Sequence, residues 1–337
     1  MNRNVLEIAL LFAATIPAWS CAKHHLSTPR SGTPSDAQQQ DPEPSPGLFN
    51  ANAAFPEALA DANLLNLETL TPRHRLLFEY GVNASLWSDG SLKRRYVYVP
   101  SESRITLNEA RDGFVFPLGT VFLKQFMTAT ADGKLHGIET RLIAKKNDGE
   151  WYFTTYVWRD DGTVRKSSAA ETIEVAGHSH RVPGKDECGL CHPGGKVLGF
   201  VPSQVVSAAS LAPLDKMFAQ GALGFSPSDL KDAVVLANPY DRKIALATRA
   251  RTYLDLNCSS CHQPGGAAPS IDLRLSTKLE DTRLLQRRLL VLGKPKQSAV
   301  WLSMTTLETT ERMPPVSLHP DAEAVGMVKE WIESLAQ

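Results

Sequence analysis

The middle of the chain carries an apolar and polar pattern that is typical of β-strands. Short runs of β-branched and aromatic residues alternate with Asp-Gly pairs, which favour tight turns. Four such runs are strand candidates: Tyr96-Val97-Tyr98-Val99, 120–123, 139–143 and 151–158. The pattern over 56–185 predicts an antiparallel sandwich or curved sheet whose core is filled by the aromatic side chains.

The last hundred residues instead repeat apolar positions every three or four residues, which predicts helices. One helix is expected over 244–257. A second closes the chain, with Asp321 as its N-cap. Its apolar positions are Val325, Val328, Ile332 and Leu335. The predicted fold class is therefore α+β and multidomain. An antiparallel β-rich domain at 56–185 is followed by a helical connection at 186–240 and an all-α domain at 241–337.

The first twenty-one residues have the features of an export signal. Arg3 provides a short positive region, and an apolar run over 8–19 follows that is too short to cross a membrane. The run ends at Ala18-Trp19-Ser20-Cys21, which resembles the cleavage box of a bacterial lipoprotein. We therefore predict a lipid on Cys21. The alternative is a plain secretory signal with a free Cys21.

The residues after this signal, 22–55, are rich in Ser, Pro, Gln and Asp. Such a segment has too few apolar residues to offset the entropy of ordering, so it predicts a disordered tether. Lys plus Arg and Asp plus Glu number 36 each, which gives a net charge of zero at pH 7. This balance gives no support for a nucleic-acid partner.

Two pentapeptides with the pattern Cys-x-x-Cys-His carry the chemistry of the sequence. The first is Cys188-Gly189-Leu190-Cys191-His192, and the second is Cys258-Ser259-Ser260-Cys261-His262. This pattern attaches haem covalently in c-type cytochromes. Two thiols one helical turn apart can each add to a vinyl group of one porphyrin, and the histidine then ligates the iron. The alternatives are a redox dithiol, a disulfide or half of a zinc site, and none of them requires the histidine.

A low-spin haem also needs a ligand on the far side of its iron. In the C-terminal domain Met313 is the best candidate, because Pro314 follows it and a residue before proline favours an extended loop. Met304 and Met327 are more typical of core packing. For the first haem the sequence leaves five candidates open: His136, His178, His180, Met127 and Met217.

The chain resembles a family of exported bacterial dihaem c-type cytochromes over about four fifths of its length. The residues that carry the resemblance include both Cys-x-x-Cys-His motifs and these segments: Leu86-Trp87-Ser88-Asp89-Gly90, Phe116-Pro117-Leu118-Gly119, Tyr156-Val157-Trp158-Arg159, Asp272-Leu273-Arg274 and Arg312-Met313-Pro314-Pro315. The resemblance implies a β-rich domain followed by a class I-like cytochrome c domain. It also implies haem c attached at Cys258 and Cys261, with His262 as proximal and Met313 as distal ligand.

Electron transfer through two covalent haems is the leading functional prediction, with His192 and His262 as iron ligands. The expected location is the bacterial periplasm, with a lipid anchor at Cys21 that favours the outer membrane. Redox proteins of the cell envelope are the expected partners. An enzyme or gas sensor with an open site at the first haem is the alternative. A third possibility is that the β domain serves as a docking module. The sequence does not decide whether the protein is an enzyme, although a non-catalytic carrier is favoured.

Overall fold

A computed structural model describes residues 41–207, 211–308 and 310–336. The expected signal segment, Cys21 and most of the expected tether lie outside the described residues. No helix in the described part of the chain is long and apolar enough to span a membrane.

A six-stranded antiparallel sheet with strand order β10-β9-β8-β7-β4-β3 forms the N-terminal part of the fold. The strands in chain order are β1 Leu65–Asn66, β2 Thr71–Pro72, β3 Leu77–Glu79, β4 Leu92–Tyr98, β5 Thr106–Leu107, β6 Phe114–Val115, β7 Val121–Ala129, β8 Leu135–Lys145, β9 Trp151–Trp158, β10 Val164–Ser167, β11 Glu171–Val175 and β12 His178–Val182. The predicted antiparallel β-rich domain is confirmed. It is built as one main sheet with three two-stranded ribbons among the described residues.

Asp-Gly pairs connect the long strands of the main sheet, as the sequence predicted. Gly133, Gly149 and Gly162 have φ values of 82°, 88° and 79°, and each lies in the turn between two consecutive strands from β7 to β10. Glycine adopts such positive φ values without the steric penalty of a Cβ. In the register of the sheet, Tyr96, Leu123 and Leu142 are aligned across β4, β7 and β8, and all three are buried.

The C-terminal part is helical and has its own apolar core. The α-helices among the described residues are α1 Cys188–Cys191, α2 Pro202–Val205, α3 Ala212–Ala219, α4 Leu246–Cys258, α5 Ala299–Thr305 and α6 Ala322–Ser334. Helices α4 and α6 pack on each other around the buried Leu254, Val328 and Trp331. The carboxylate of Asp321 caps α6 by accepting from the Ala324 N–H at 3.1 Å. Both predicted helices are thus confirmed to within two residues.

The end of the expected tether differs from the prediction. Leu48 and Phe55 are buried in the core beneath the sheet, and the chain forms a short 3₁₀ helix over Pro46–Leu48. Lys146 from the end of β8 donates hydrogen bonds to the carbonyls of Asn50 and Ala53. These two apolar residues in a polar segment show no helix or strand periodicity in the sequence. Their burial is nevertheless enough to hold the segment against the core of the sheet.

Candidate functional site

Both Cys-x-x-Cys-His motifs fold into the same helical turn. The N–H of His192 donates to the Cys188 carbonyl at 3.0 Å, and the N–H of His262 donates to the Cys258 carbonyl at 2.9 Å. Each motif therefore presents its two cysteines one turn apart with the histidine directly after them. In the first motif this turn is the whole of α1, whereas in the second it continues the long helix α4. None of the four cysteines is in a disulfide.

The imidazole of His192 is held in the tautomer that an iron ligand requires. Its Nδ1 donates to the backbone carbonyl of Lys196 at 2.7 Å, so the lone pair is on Nε2. A second-shell hydrogen bond of this kind orients metal-bound histidines in general. Burial lowers the pKa of His192 to about 4, which keeps the ring neutral at neutral pH. Its ring packs against Phe153, with centroids 5.3 Å apart.

The second motif borders a cavity of about 300 Å³ in the helical part. Cys258 and His262 line it together with Met304 and Met313. Burial also lowers the pKa of His262, against an opposing effect of the Ala268 backbone. The structure therefore brings the predicted proximal and distal residues to one cavity. It also places Met304 there, whereas Met327 packs in the core between α4 and α6.

The loop that carries Met313 is held by its neighbours on both sides. The N–H of Met313 donates to the Ser303 carbonyl at 2.9 Å, and the Met313-Pro314 peptide bond is cis. The buried guanidinium of Arg312 donates to four backbone carbonyls of the same loop. They belong to Thr306, Leu307, Ser317 and Leu318. These bonds hold the backbone on both sides of Met313 in place.

The two motifs meet at their second cysteines. The neighbouring Cys261 thiol, followed by burial, raises the pKa of Cys191. The thiol of Cys261 also donates to the Leu190 carbonyl at 3.0 Å. These two cysteines are 70 positions apart in the sequence, so no local pattern could have predicted that the motifs meet.

Open space borders the first motif on the side of the sheet. A groove of about 690 Å³ runs along β9 and extends from Phe55 to Cys188. It follows the part of β9 that lies beyond the end of β10, where the edge of β9 is uncovered. A smaller cavity of about 60 Å³ lies beside Cys188, Cys191 and His192. Phe153, Thr155 and Cys188 border both spaces, so both lie next to the first cysteine of the motif.

A group of cations lies on the sheet face next to the first motif. Lys93, Lys124 and Arg141 surround the ring of Phe126 at 5.8, 4.9 and 4.5 Å from its centroid. Burial, together with neighbouring cations, holds the pKa of Lys124 well below its usual value. Burial would raise the pKa of Glu139, but Arg141 and His180 outweigh it and lower that pKa. Burial likewise lowers the pKa of Lys93 to about 7, so the two lysines carry less positive charge than their number suggests.

The five candidates for the distal ligand of the first haem lie in different surroundings. Met217 is fully buried in the core beneath the sheet, and Met127 is buried on β7. His136 lies opposite Thr128 in the β7–β8 pair. His178 and His180 are on strand β12 rather than in a loop, and the His180 Nε2 lies 2.8 Å from the Glu139 carboxylate. None of the five is found among the residues that line the two spaces at Cys188.

The residues around the second motif fit a covalently bound haem, and those around the first motif agree with one. The fit rests on the turn that joins each cysteine pair to its histidine, on the Nδ1 donor bond of His192 and on the cavity between His262 and Met313. Among the described residues, no group of three or more His, Cys, Asp and Glu side chains is placed to hold a metal ion.

The C-terminal segment is similar to a cytochrome c family. Its residues 258–317 match the family model described as Planctomycete cytochrome C, and the matched segment contains the second motif and Met313. It covers under a fifth of the chain and excludes the first motif. No curated protein and no solved structure matches the chain. This match supports the predicted role in haem binding and electron transfer.

Three features of the site were missed by the sequence reasoning. The Lys196 carbonyl that orients His192 and the cations around Phe126 have no motif of their own. In the sequence, Arg312 stands out only as a neighbour of Met313. A buried arginine next to a candidate ligand could have suggested a loop brace, because its five donors must find acceptors.

Proposed function

We propose that this chain is a dihaem c-type cytochrome that transfers electrons in the bacterial cell envelope through two covalently bound haems. The observation that carries the proposal is the contact between the two motifs, in which the Cys261 thiol donates to the Leu190 carbonyl at 3.0 Å. If each cysteine forms the thioether of its own motif, the edges of the two haems are neighbours. Adjacent edges are what rapid passage of an electron between two centres requires.

Haem supplies one-electron chemistry at iron, and the chain's residues set its conditions. His192 and His262 provide imidazole ligands, and the Met313 thioether favours the ferrous state of the second haem. Redox proteins of the envelope are the partners we propose, with the β-rich part as the surface that they contact.

We expect two haem additions in the intact mass of the protein when it is matured in an export-competent host with haem-attachment machinery. Replacing both Cys188 and Cys191 by Ala should remove one addition and leave the second. The matched double replacement at Cys258 and Cys261 should do the reverse. A wild-type mass with a single addition would contradict the dihaem proposal.

An enzyme or gas sensor with an open first haem is the second candidate. It is favoured by the packing of Met127 and Met217 in apolar cores and by the hydrogen bond between His180 and Glu139. EPR of the ferric protein separates the two proposals. Two low-spin signals support a carrier, whereas one high-spin signal with binding of carbon monoxide after reduction supports the open site.

We also propose that the mature protein is a periplasmic lipoprotein anchored through Cys21. A covalent lipid moves a protein from the soluble to the membrane fraction because each buried methylene group adds to the affinity. Cys21→Ser should therefore abolish labelling with a radioactive or clickable fatty acid and release the protein from membranes. Unchanged labelling and fractionation would show that the plain secretory signal is correct.

A further inference from the structure

The loop before β4, Leu86-Trp87-Ser88-Asp89-Gly90, contacts the helical part on the side of the Met313 loop. We call it the 86–90 loop. One carboxylate oxygen of Asp89 accepts from the N–H groups of Leu318 and His319 at 2.7 and 3.0 Å. The indole N–H of Trp87 donates to the His319 carbonyl at 2.8 Å. Three hydrogen bonds thus join this loop to a segment five residues beyond Met313.

The same loop contacts the proximal side of the second motif. The backbone N–H of Trp87 donates to the Asn257 side-chain oxygen at 2.7 Å. Asn257 directly precedes Cys258, and its amide donates to the Tyr253 carbonyl within α4 at 3.1 Å. The 86–90 loop therefore contacts both the end of helix α4, which leads into the second motif, and the loop that carries Met313.

Asp89 has the burial and backbone strain of a residue held by its contacts. It is 5% exposed, and its φ is 51°, in the left-handed region that few residues other than glycine adopt. Its second carboxylate oxygen lies 3.4 Å from the N–H of Arg181, upstream of the first motif. Strained residues of this kind persist where the surrounding structure determines their conformation.

Arg312 links these contacts to Met313. Its guanidinium donates to the carbonyls of Ser317 and Leu318, and the N–H of Leu318 in turn donates to Asp89. A displacement of Leu318 is thus passed to the residue next to Met313. The other side of Met313 is held by Ser303.

We propose that Trp87 and Asp89 are positioning residues that hold the Met313 thioether within bonding distance of the iron of the second haem. The proposal rests on Met313 being the distal ligand, as the proposed function has it. On this proposal, retention of the Met313 ligand depends on the β-rich part of the chain. A partner or substitution that moves the 86–90 loop therefore also changes the ligation of the second haem.

Imidazole competition in the ferric protein with both haems attached tests the proposal. Imidazole replaces the thioether more easily when the Met313 loop is released. Asp89→Ala should therefore raise the apparent imidazole affinity about tenfold. This factor corresponds to the loss of roughly one buried hydrogen bond to a charged group. The thioether-to-iron band in the near infrared should be lost at correspondingly lower imidazole. Trp87→Phe, which removes only the indole donor, should show a smaller increase. Asp89→Asn keeps one acceptor oxygen and should restore part of the wild-type affinity.

Asp161→Ala is the matched control. Asp161 also lies in an Asp-Gly turn and accepts from a backbone N–H, that of Thr163 at 2.8 Å, but at an exposed hairpin. This variant should keep the wild-type imidazole affinity. A purely structural role for Asp89 would lower the melting temperature and leave the affinity of the folded protein unchanged, and that result overturns the proposal.

If Asp89→Ala does not fold with both haems, Trp87→Phe and Asp89→Asn decide the question, and unchanged affinity in both overturns the proposal. A wild-type protein that lacks the thioether band would instead overturn the assignment of Met313, and with it this proposal. The two failures are therefore distinguishable.

Discussion

Met313→Ala is expected to abolish the near-infrared thioether band and to lower the reduction potential of one haem. A thioether stabilises ferrous relative to ferric iron, so its loss favours the oxidised state. We expect a decrease on the order of 0.1–0.2 V, a part of the roughly 0.8 V that axial ligands span. Spectroelectrochemistry should show one shifted wave and one nearly unchanged wave. The vacated position should also bind added imidazole or carbon monoxide.

Two further variants show whether the loss is specific to Met313. Met313→His should keep a low-spin iron at a lower potential, because imidazole ligates but favours ferric iron more than a thioether does. Met304→Leu is the control, because Met304 lines the same cavity from within α5. This variant should keep the band. If the band survives Met313→Ala and disappears in Met304→Leu, then Met304 is the ligand and Met313 only borders the cavity.

The strands and helices that the sequence predicted are those with a complete local signal. Strand β9 over Trp151–Trp158 has eight residues of strand-forming type between two Asp-Gly turns. Helix α6 has an N-cap and an apolar stripe at the spacing of one helical face. Such elements are specified by neighbours within a few residues, so a single sequence is sufficient to identify them.

What the sequence could not predict depends on contacts between distant segments. His180 reads as part of a Gly-His-Ser-His loop, but it is a buried strand residue because β12 packs over Phe126 and Glu139. Asp89 reads as half of a turn, although its carboxylate binds residues more than two hundred positions later. The motifs themselves were identifiable because haem attachment needs a contiguous pattern. Their mutual arrangement was not, because it is a property of the assembled fold.

That arrangement leads to the last prediction, which concerns the two haems as a pair. If the thioethers of Cys191 and Cys261 are neighbours, the two ferric irons should interact magnetically. The EPR signals of the oxidised protein should then integrate to fewer than two independent low-spin centres. The chain with Cys188 and Cys191 replaced by Ala should give one full, unperturbed signal from the second haem.

The same proximity should appear in the reduction potentials. Two unit charges about 10 Å apart interact by about 1.7 kcal/mol at an effective dielectric constant near 20, which corresponds to roughly 70 mV for one electron. Reduction of the first haem should therefore lower the potential of the second by an amount of that order. The single-haem variant should titrate as one simple wave that lacks this interaction. Two signals that integrate to two full spins, with potentials that do not depend on each other, would place the haems apart. In that case the contact between Cys191 and Cys261 would not describe the haem-loaded protein.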